Sequence, residues 1–245
     1  MEQYSVLSQA AYTYGQDEDA DKTLQEIKSY GLKSYKIDEE LSDNESLVLL
    51  NDQQEEMTLS IMGTDPSRIK DIYSDLQIFG GMQFGERFYG ESEKLEKMQK
   101  KYPTYRAITT GHSLGGHVSY NLGLKNNIES HSFNAGASIL DSMKNIKTLY
   151  SCGDECSKQQ LYTTGSDPLS IFNLHGLIDK FGKQNVIYNY KPNMDILNHS
   201  LDHFLPMRVN PTFEEKEMEQ EILDFCKINP KHKACNIRPK QKTFF

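Results

Sequence analysis

Few folds accommodate the segment Ile108-Thr109-Thr110-Gly111-His112-Ser113-Leu114-Gly115-Gly116. A β-like run, Tyr105 to Thr110, enters it, and a helix-like run, Leu114 to Lys125, leaves it. A serine set in G-x-S-x-G between a strand and a helix has the form of a nucleophile elbow. The turn is tight, so a side chain at Gly111 or Gly115 would collide where strand and helix converge. Such a turn holds the Ser113 hydroxyl above the strand ends. It also puts the Leu114 N–H in the first helical turn, where amides lack an intrahelical partner and can stabilise an oxyanion. The plainer use of the same residues is a helix N-terminus capped by Ser113.

The neighbouring segments favour the elbow. Leu47 to Leu50 and Met57 to Met62 are apolar runs separated by Asn51-Asp52-Gln53-Gln54, which predicts a hairpin. The second run ends in Gly63-Thr64-Asp65-Pro66, upstream of the elbow, where a second oxyanion donor belongs. The Thr64 N–H is that candidate, with its hydroxyl as a helper. Further strands are expected at Ser130–Phe133, Lys147–Tyr150, Gln160–Thr163 and Asn185–Tyr190. Strands alternating with helical segments predict an α/β fold with a mostly parallel central sheet. Two helices are expected within residues 2–30, the first carrying Tyr4, Leu7, Ala10, Ala11 and Tyr14 on one face. Gly15 and the acidic run after it divide the two, and Gly31 ends the second. The expected organisation is a helical segment over 1–44, a catalytic core over 45–205, and a helix with a basic tail over 206–245.

Residues Ser67 to Phe79 form an amphipathic segment beside the proposed oxyanion loop. Ile69, Ile72, Tyr73 and Leu76 are its candidate lid residues, suited to shielding a site or meeting a lipid surface. An ordinary packed helix uses the same pattern. Gly80-Gly81 and Gly85 predict a mobile loop, and Glu86 to Lys101 a charged helix closed by Tyr102-Pro103.

A serine nucleophile needs a base that a carboxylate orients. The chain order serine, acid, histidine restricts the base to His175, His199, His203 or His232. Asp167 is the first choice of acid, because it ends a strand just before a proline; Asp154 is the second. His199 and His203 are four apart, but no Glu follows His199, so the H-E-x-x-H zinc pattern is absent. No metal and no cofactor is expected.

These residues together resemble the class 3, fungal-type lipases. The resemblance rests on Gly63-Thr64, on Asp71-Ile72-Tyr73-Ser74-Asp75-Leu76, on the elbow, on Gly165-Ser166-Asp167-Pro168 and on the late histidine, and it covers about residues 45–205. It implies a single-domain α/β-hydrolase fold and carboxylic-ester hydrolysis. It also favours His199, which opens His199-Ser200-Leu201-Asp202-His203-Phe204-Leu205, as the base, with His203 as the alternative. Met62 stands where that family usually has arginine, the lid is short, and no secretion signal or disulfide framework is evident.

The net charge of −8 argues against a general nucleic-acid binder. No stretch approaches the ~18 apolar residues of a membrane span. The N-terminus lacks a basic region followed by an apolar run, so the chain reads as intracellular. Its four cysteines, Cys152, Cys156, Cys226 and Cys235, read as free thiols, with disulfides as the alternative, rather than as zinc ligands. The expected partner is a lipid or other ester substrate, with transient contact to a membrane surface. The sequence leaves a phospholipase A and a catalytically silent binding scaffold as alternatives.

Overall fold

A computed structural model describes residues 2–64, 69–136, 158–164, 167, 185–189, 200–206 and 208, with the backbone alone for 69–84 and 185–189. The chain divides into two compact units, Met1–Met207 and Arg208–Phe245. The fold below is that of the first unit. The expected strand at 147–150, the segment after Asp167, all four cysteines and the C-terminal helix and tail lie outside the described residues.

Two helices open the chain, α1 (Glu2–Asp17) and α2 (Ala20–Ser29). The first helix runs through Gly15 as far as Asp17; the break falls at Glu18, whose φ of 50° leaves the helical region. Asp19 then caps α2 by accepting the Lys22 N–H at 2.9 Å. Strand β1 (Tyr35–Ile37) follows, then the hairpin β2 (Ser46–Asn51) and β3 (Glu56–Ile61). Helix α3 (Ile69–Lys101) leads to β4 (Arg106–His112), and α4 (Leu114–Asn126) to β5 (Glu129–Phe133). Strands β6 (Gln159–Thr164) and β7 (Asn185–Asn189) complete the described sheet.

The seven strands pair in sequence order. β1, β2 and β3 are antiparallel, and β3 through β7 are parallel. The predicted hairpin is present, with Leu50 opposite Met57. The parallel part needs helical crossovers, and α3 and α4 supply two of them. This is the mostly parallel α/β sheet that the alternation of elements predicts.

Strand side chains alternate between the faces, and the core divides accordingly. Leu47, Leu49, Ile108 and Phe133 pack with Leu7, Ala10, Ala11 and Ile27 of the first two helices. Val48, Leu50, Met57, Leu59 and Ile61 pack with Leu95 and Met98 of α3 and with Val118 and Leu122 of α4. The result is three layers. Complete burial of a Leu or Ile side chain contributes roughly 1.5–3 kcal/mol, so each layer is held mainly by such contacts.

One expectation fails here. Gly80-Gly81 and Gly85 do not form a loop; they lie inside α3, which is continuous over 33 residues. Glycine costs a helix only about 1 kcal/mol relative to alanine. The C-terminal turns of α3 are anchored by buried Leu95 and Met98, and extending a formed helix costs far less than nucleating one.

Candidate active site

The elbow has the geometry its glycines require. Ser113 sits between β4 and α4 with φ 57° and ψ −123°, a region that non-glycine residues avoid. The strain is held by packing on every side. A Cβ on Gly111 would fall 2.5 Å from the Gly115 carbonyl, and one on Gly115 would fall 2.2 Å from the Ile61 carbonyl oxygen. The Ser113 backbone is also bonded in both directions. Its N–H donates to Phe133 O at 3.1 Å, and its carbonyl accepts from His117 and Gly136 N–H, each at 3.1 Å. The serine is 6% exposed. Its side chain makes no cap bond to the helix, so the plainer reading of Ser113 as a side-chain cap fails.

Gly63 brings the end of β3 against this turn. A Cβ there would lie 3.1 Å from Ser113 Cβ and 2.5 Å from the His112 carbonyl oxygen. Thr64 therefore follows directly from a residue in contact with the elbow. No hydrogen-bond partner of the Thr64 N–H is found among the described residues. Leu114 opens α4.

Asp167, the expected acid, lies two strands away along the same edge. Asn134, just beyond β5, has φ 41° and accepts the Thr164 N–H on Oδ1 at 2.9 Å. Its own N–H donates to Tyr162 O at 2.8 Å. These bonds join the ends of β5 and β6. Asp167 then turns back, its N–H donating to Thr164 O at 3.0 Å, and is 1% exposed. Ser113, Asn134 and Asp167 thus follow the C-terminal ends of three adjacent parallel strands, the edge at which open α/β sheets place their ligands.

His199 and the runner-up acid Asp154 lie outside the described residues. His203 closes a 3-10 turn, Leu201–His203, that Ser200 caps by accepting the Asp202 N–H at 3.2 Å. Leu201 and Phe204 of this turn are buried in the α1 layer, and the Phe204 carbonyl accepts the Ser5 hydroxyl at 2.8 Å. The lid candidates Ile69, Ile72, Tyr73 and Leu76 fall in the first part of α3, where only the backbone is described.

Two residues at this edge were not singled out in the sequence. The Tyr12 hydroxyl of α1 accepts the Gly63 N–H at 3.1 Å and shares a hydrogen bond with His112 Nδ1 at 2.9 Å. The Arg87 guanidinium of α3 donates to Met62 O at 2.9 Å and to Glu45 O at 3.0 Å. Only the spacing of Tyr4, Ser8 and Tyr12, a polar stripe at i, i+4 and i+8, could have pointed to the first. Among the described residues no group of three or more His, Cys, Asp or Glu side chains is arranged to hold a metal ion, and no helix is long and apolar enough to cross a membrane.

The same architecture is found in fungal lipases of known structure. The chain is similar to the Lip2 lipase of Yarrowia lipolytica, with 16% identity over 76% of each chain and a TM-score of 0.50. It is similar too to a Rhizomucor miehei lipase propeptide complex, with 14% identity over 80% of this chain and 75% of the other and a TM-score of 0.52. No protein-family model matches the sequence, and no curated protein matches it. At these identities the likeness establishes the fold: this is the α/β-hydrolase fold of the fungal-type lipases.

Proposed function

We propose that this chain is a serine hydrolase of carboxylic esters that acts on lipids. The observation that carries the reading is the strained Ser113, held at φ 57° against Gly63, with buried Asp167 along the same sheet edge. A buried carboxylate needs a partner that stabilises its charge, and an imidazolium is such a partner. The shared fold with two fungal lipases supports the same class of chemistry.

In this mechanism His199 takes the Ser113 proton as Oγ attacks the ester carbonyl. Asp167 orients the ring and stabilises the imidazolium. The N–H groups of Leu114 and Thr64 hold the oxyanion. The imidazolium protonates the leaving alcohol, leaving an acyl group on Ser113, and water activated by the same base releases the acid. No cofactor takes part. His203 is the alternative base. Ile69, Ile72, Tyr73 and Leu76 form the lid and its contact with a lipid surface. The catalytic core spans 45–205, with a helical segment over 1–44 and a C-terminal helix and basic tail over 206–245.

The test is hydrolysis of p-nitrophenyl esters of graded chain length by wild type and Ser113→Ala. Loss of at least ~10⁴-fold in kcat is expected for the variant; activity persisting in the pure variant overturns the assignment. A phospholipase A is a second reading, favoured by the tail 227–245, which has lysines and an arginine but no acid. Faster turnover of phospholipid vesicles than of triglyceride emulsion would establish it. Failure of a fluorophosphonate to label Ser113 would point instead to a silent binding scaffold.

A further inference from the structure

We infer that Tyr12 and Arg87 are positioning residues that hold the Met62-Gly63-Thr64 arm in register with the Ser113 elbow, one from each face of the sheet. The inference rests on the ester-hydrolase reading for its kinetic consequence, but not for its geometry.

Beyond Ile61, which pairs with Gly111, β3 no longer has a ladder partner in β4. The next backbone groups must find other partners, because half-buried amides and carbonyls are costly to leave unpaired. They find them in order. The Met62 N–H donates to Glu45 O at 3.0 Å. The Met62 carbonyl accepts from Arg87 Nη2 at 2.9 Å. The Gly63 N–H donates to the Tyr12 hydroxyl at 3.1 Å. The next donor in line is the Thr64 N–H.

Each holder is itself held. Arg87 also donates to the Glu45 carbonyl at 3.0 Å and pairs with the Glu45 carboxylate at 3.2 Å, and its side chain is 15% exposed. Glu91, one turn further along α3, sits 4.0 Å away and accepts the Ser46 hydroxyl at 2.7 Å. A planar guanidinium can span the Met62 carbonyl, the Glu45 carbonyl and the carboxylate together; an ammonium on a flexible stem does not reproduce that fork. The Tyr12 ring is buried in the α1 layer. Its hydroxyl touches His112 Nδ1 at 2.9 Å, and His112 immediately precedes the serine. One oxygen atom therefore ties the arm to the elbow. Oxyanion donors sit about 3 Å from the oxygen and must be held within about 0.5 Å of that productive position, so small displacements of the arm are felt in the transition state.

Two measurements test this. The first is amide hydrogen exchange over the peptide containing Met62, Gly63 and Thr64, in wild type, Tyr12→Phe and Arg87→Lys. Exchange there should rise about 10-fold or more in each variant, while the β4 core is unchanged. The second is kinetic, with p-nitrophenyl butyrate and active-site titration by a fluorophosphonate. Each variant should lose about 10-fold in kcat with KM within about 2-fold, and the double variant should lose less than the product of the two. Exchange unchanged at the arm, or kcat within 2-fold of wild type in both variants, overturns the inference. So does a loss of kcat that merely follows the fraction of folded enzyme. If wild type hydrolyses no ester and takes no label, the hydrolase reading has failed, and the exchange result still decides whether the arm is clamped.

Discussion

At the N-terminal edge of β3, β4 and β5, the 1%-exposed carboxylate of Glu56 meets Arg106 at 2.6 Å and the Tyr4 and Tyr35 hydroxyls at 3.4 and 3.5 Å. Arg106 also reaches Glu129 at 2.9 Å, and Glu129 holds His131 Nε2 at 2.7 Å. At the C-terminal edge of the same strands the backbone is strained at Ser113, and Gly63, Gly111 and Gly115 leave no room for a side chain. Both edges are buried and polar. At the first, charge is answered by charge and by hydroxyls, and burial pushes the Tyr4 and Tyr35 phenols well up, with Glu56 adding to the effect. At the second, rigid backbone geometry does the holding. A buried titratable cluster is therefore no sufficient sign of chemistry; closed networks of this kind are structural, and the strained edge is where an incoming group can be stabilised.

Helix α1 spans both edges. Tyr4 stacks on His131 at 3.8 Å, Ser8 bonds to Thr110 at 2.8 Å, and Tyr12 reaches His112. Substitutions along this line separate the two edges. The largest effect is expected from Gly115→Ala, whose Cβ would meet Ile61 backbone at 2.2 Å; circular dichroism should find no stable fold, and a folded, active variant would show that the elbow has slack. Asp167→Asn should come next, with kcat lower by about 10³–10⁴-fold. Its melting temperature should change little, and calorimetry beside ester kinetics would tell a catalytic acid from a turn residue.

At the other edge the ranking of effects reverses. Arg106→Ala should cost about 1–2 kcal/mol of stability, less than a wholly buried pair because the arginine is 58% exposed. Activity per folded molecule should stay as in wild type. Urea denaturation with active-site titration measures both; a fall in kcat would mean that the edges are coupled through α1.

The smallest effect concerns pH. Burial pushes His131 below its ordinary value of 6.5, and the pull of Glu129 in the opposite direction does not cancel it. The unfolded chain thus takes up a proton near pH 6.5 that the folded chain refuses, so stability is intact above that pH and declines below it. Glu129, held low by its hydrogen bond to His131, contributes its own decline only below 4.5. The melting temperature should drop by a few degrees between pH 7 and 5.5. His131→Gln should flatten that slope; equal slopes would remove His131 as the cause.

Much of this was legible in the residues. The elbow announces itself because only glycine fits at positions 111 and 115, and the hairpin because its turn is flanked by apolar runs. The place of Asp167 at the end of a strand follows from its position before Pro168. Other features were hidden for physical reasons. β1 is three residues long, too short to show alternation. The glycines in α3 carry a local preference that packing further along the helix overrides. Tyr12 lies outside the apolar face expected for the first helix, and Arg87 is one of many charges in the expected helix Glu86 to Lys101. Their roles depend on backbone groups 51 and 25 positions distant, a relation that no local pattern encodes.

The strand order has a consequence for synthesis. Each described strand pairs with its predecessor, so the sheet can lengthen one strand at a time as the chain leaves the ribosome. Helix α1 is the exception. It emerges before the sheet, yet its neighbours in the core include Ile108 and Phe133, made more than 90 residues later. Until then its apolar face has only α2 and the β2–β3 hairpin to rest on. Completion of this helix's docking is thus a late event that closes the Tyr12 contact with His112, and a nascent chain stalled before β4 would carry α1 with part of its apolar face uncovered.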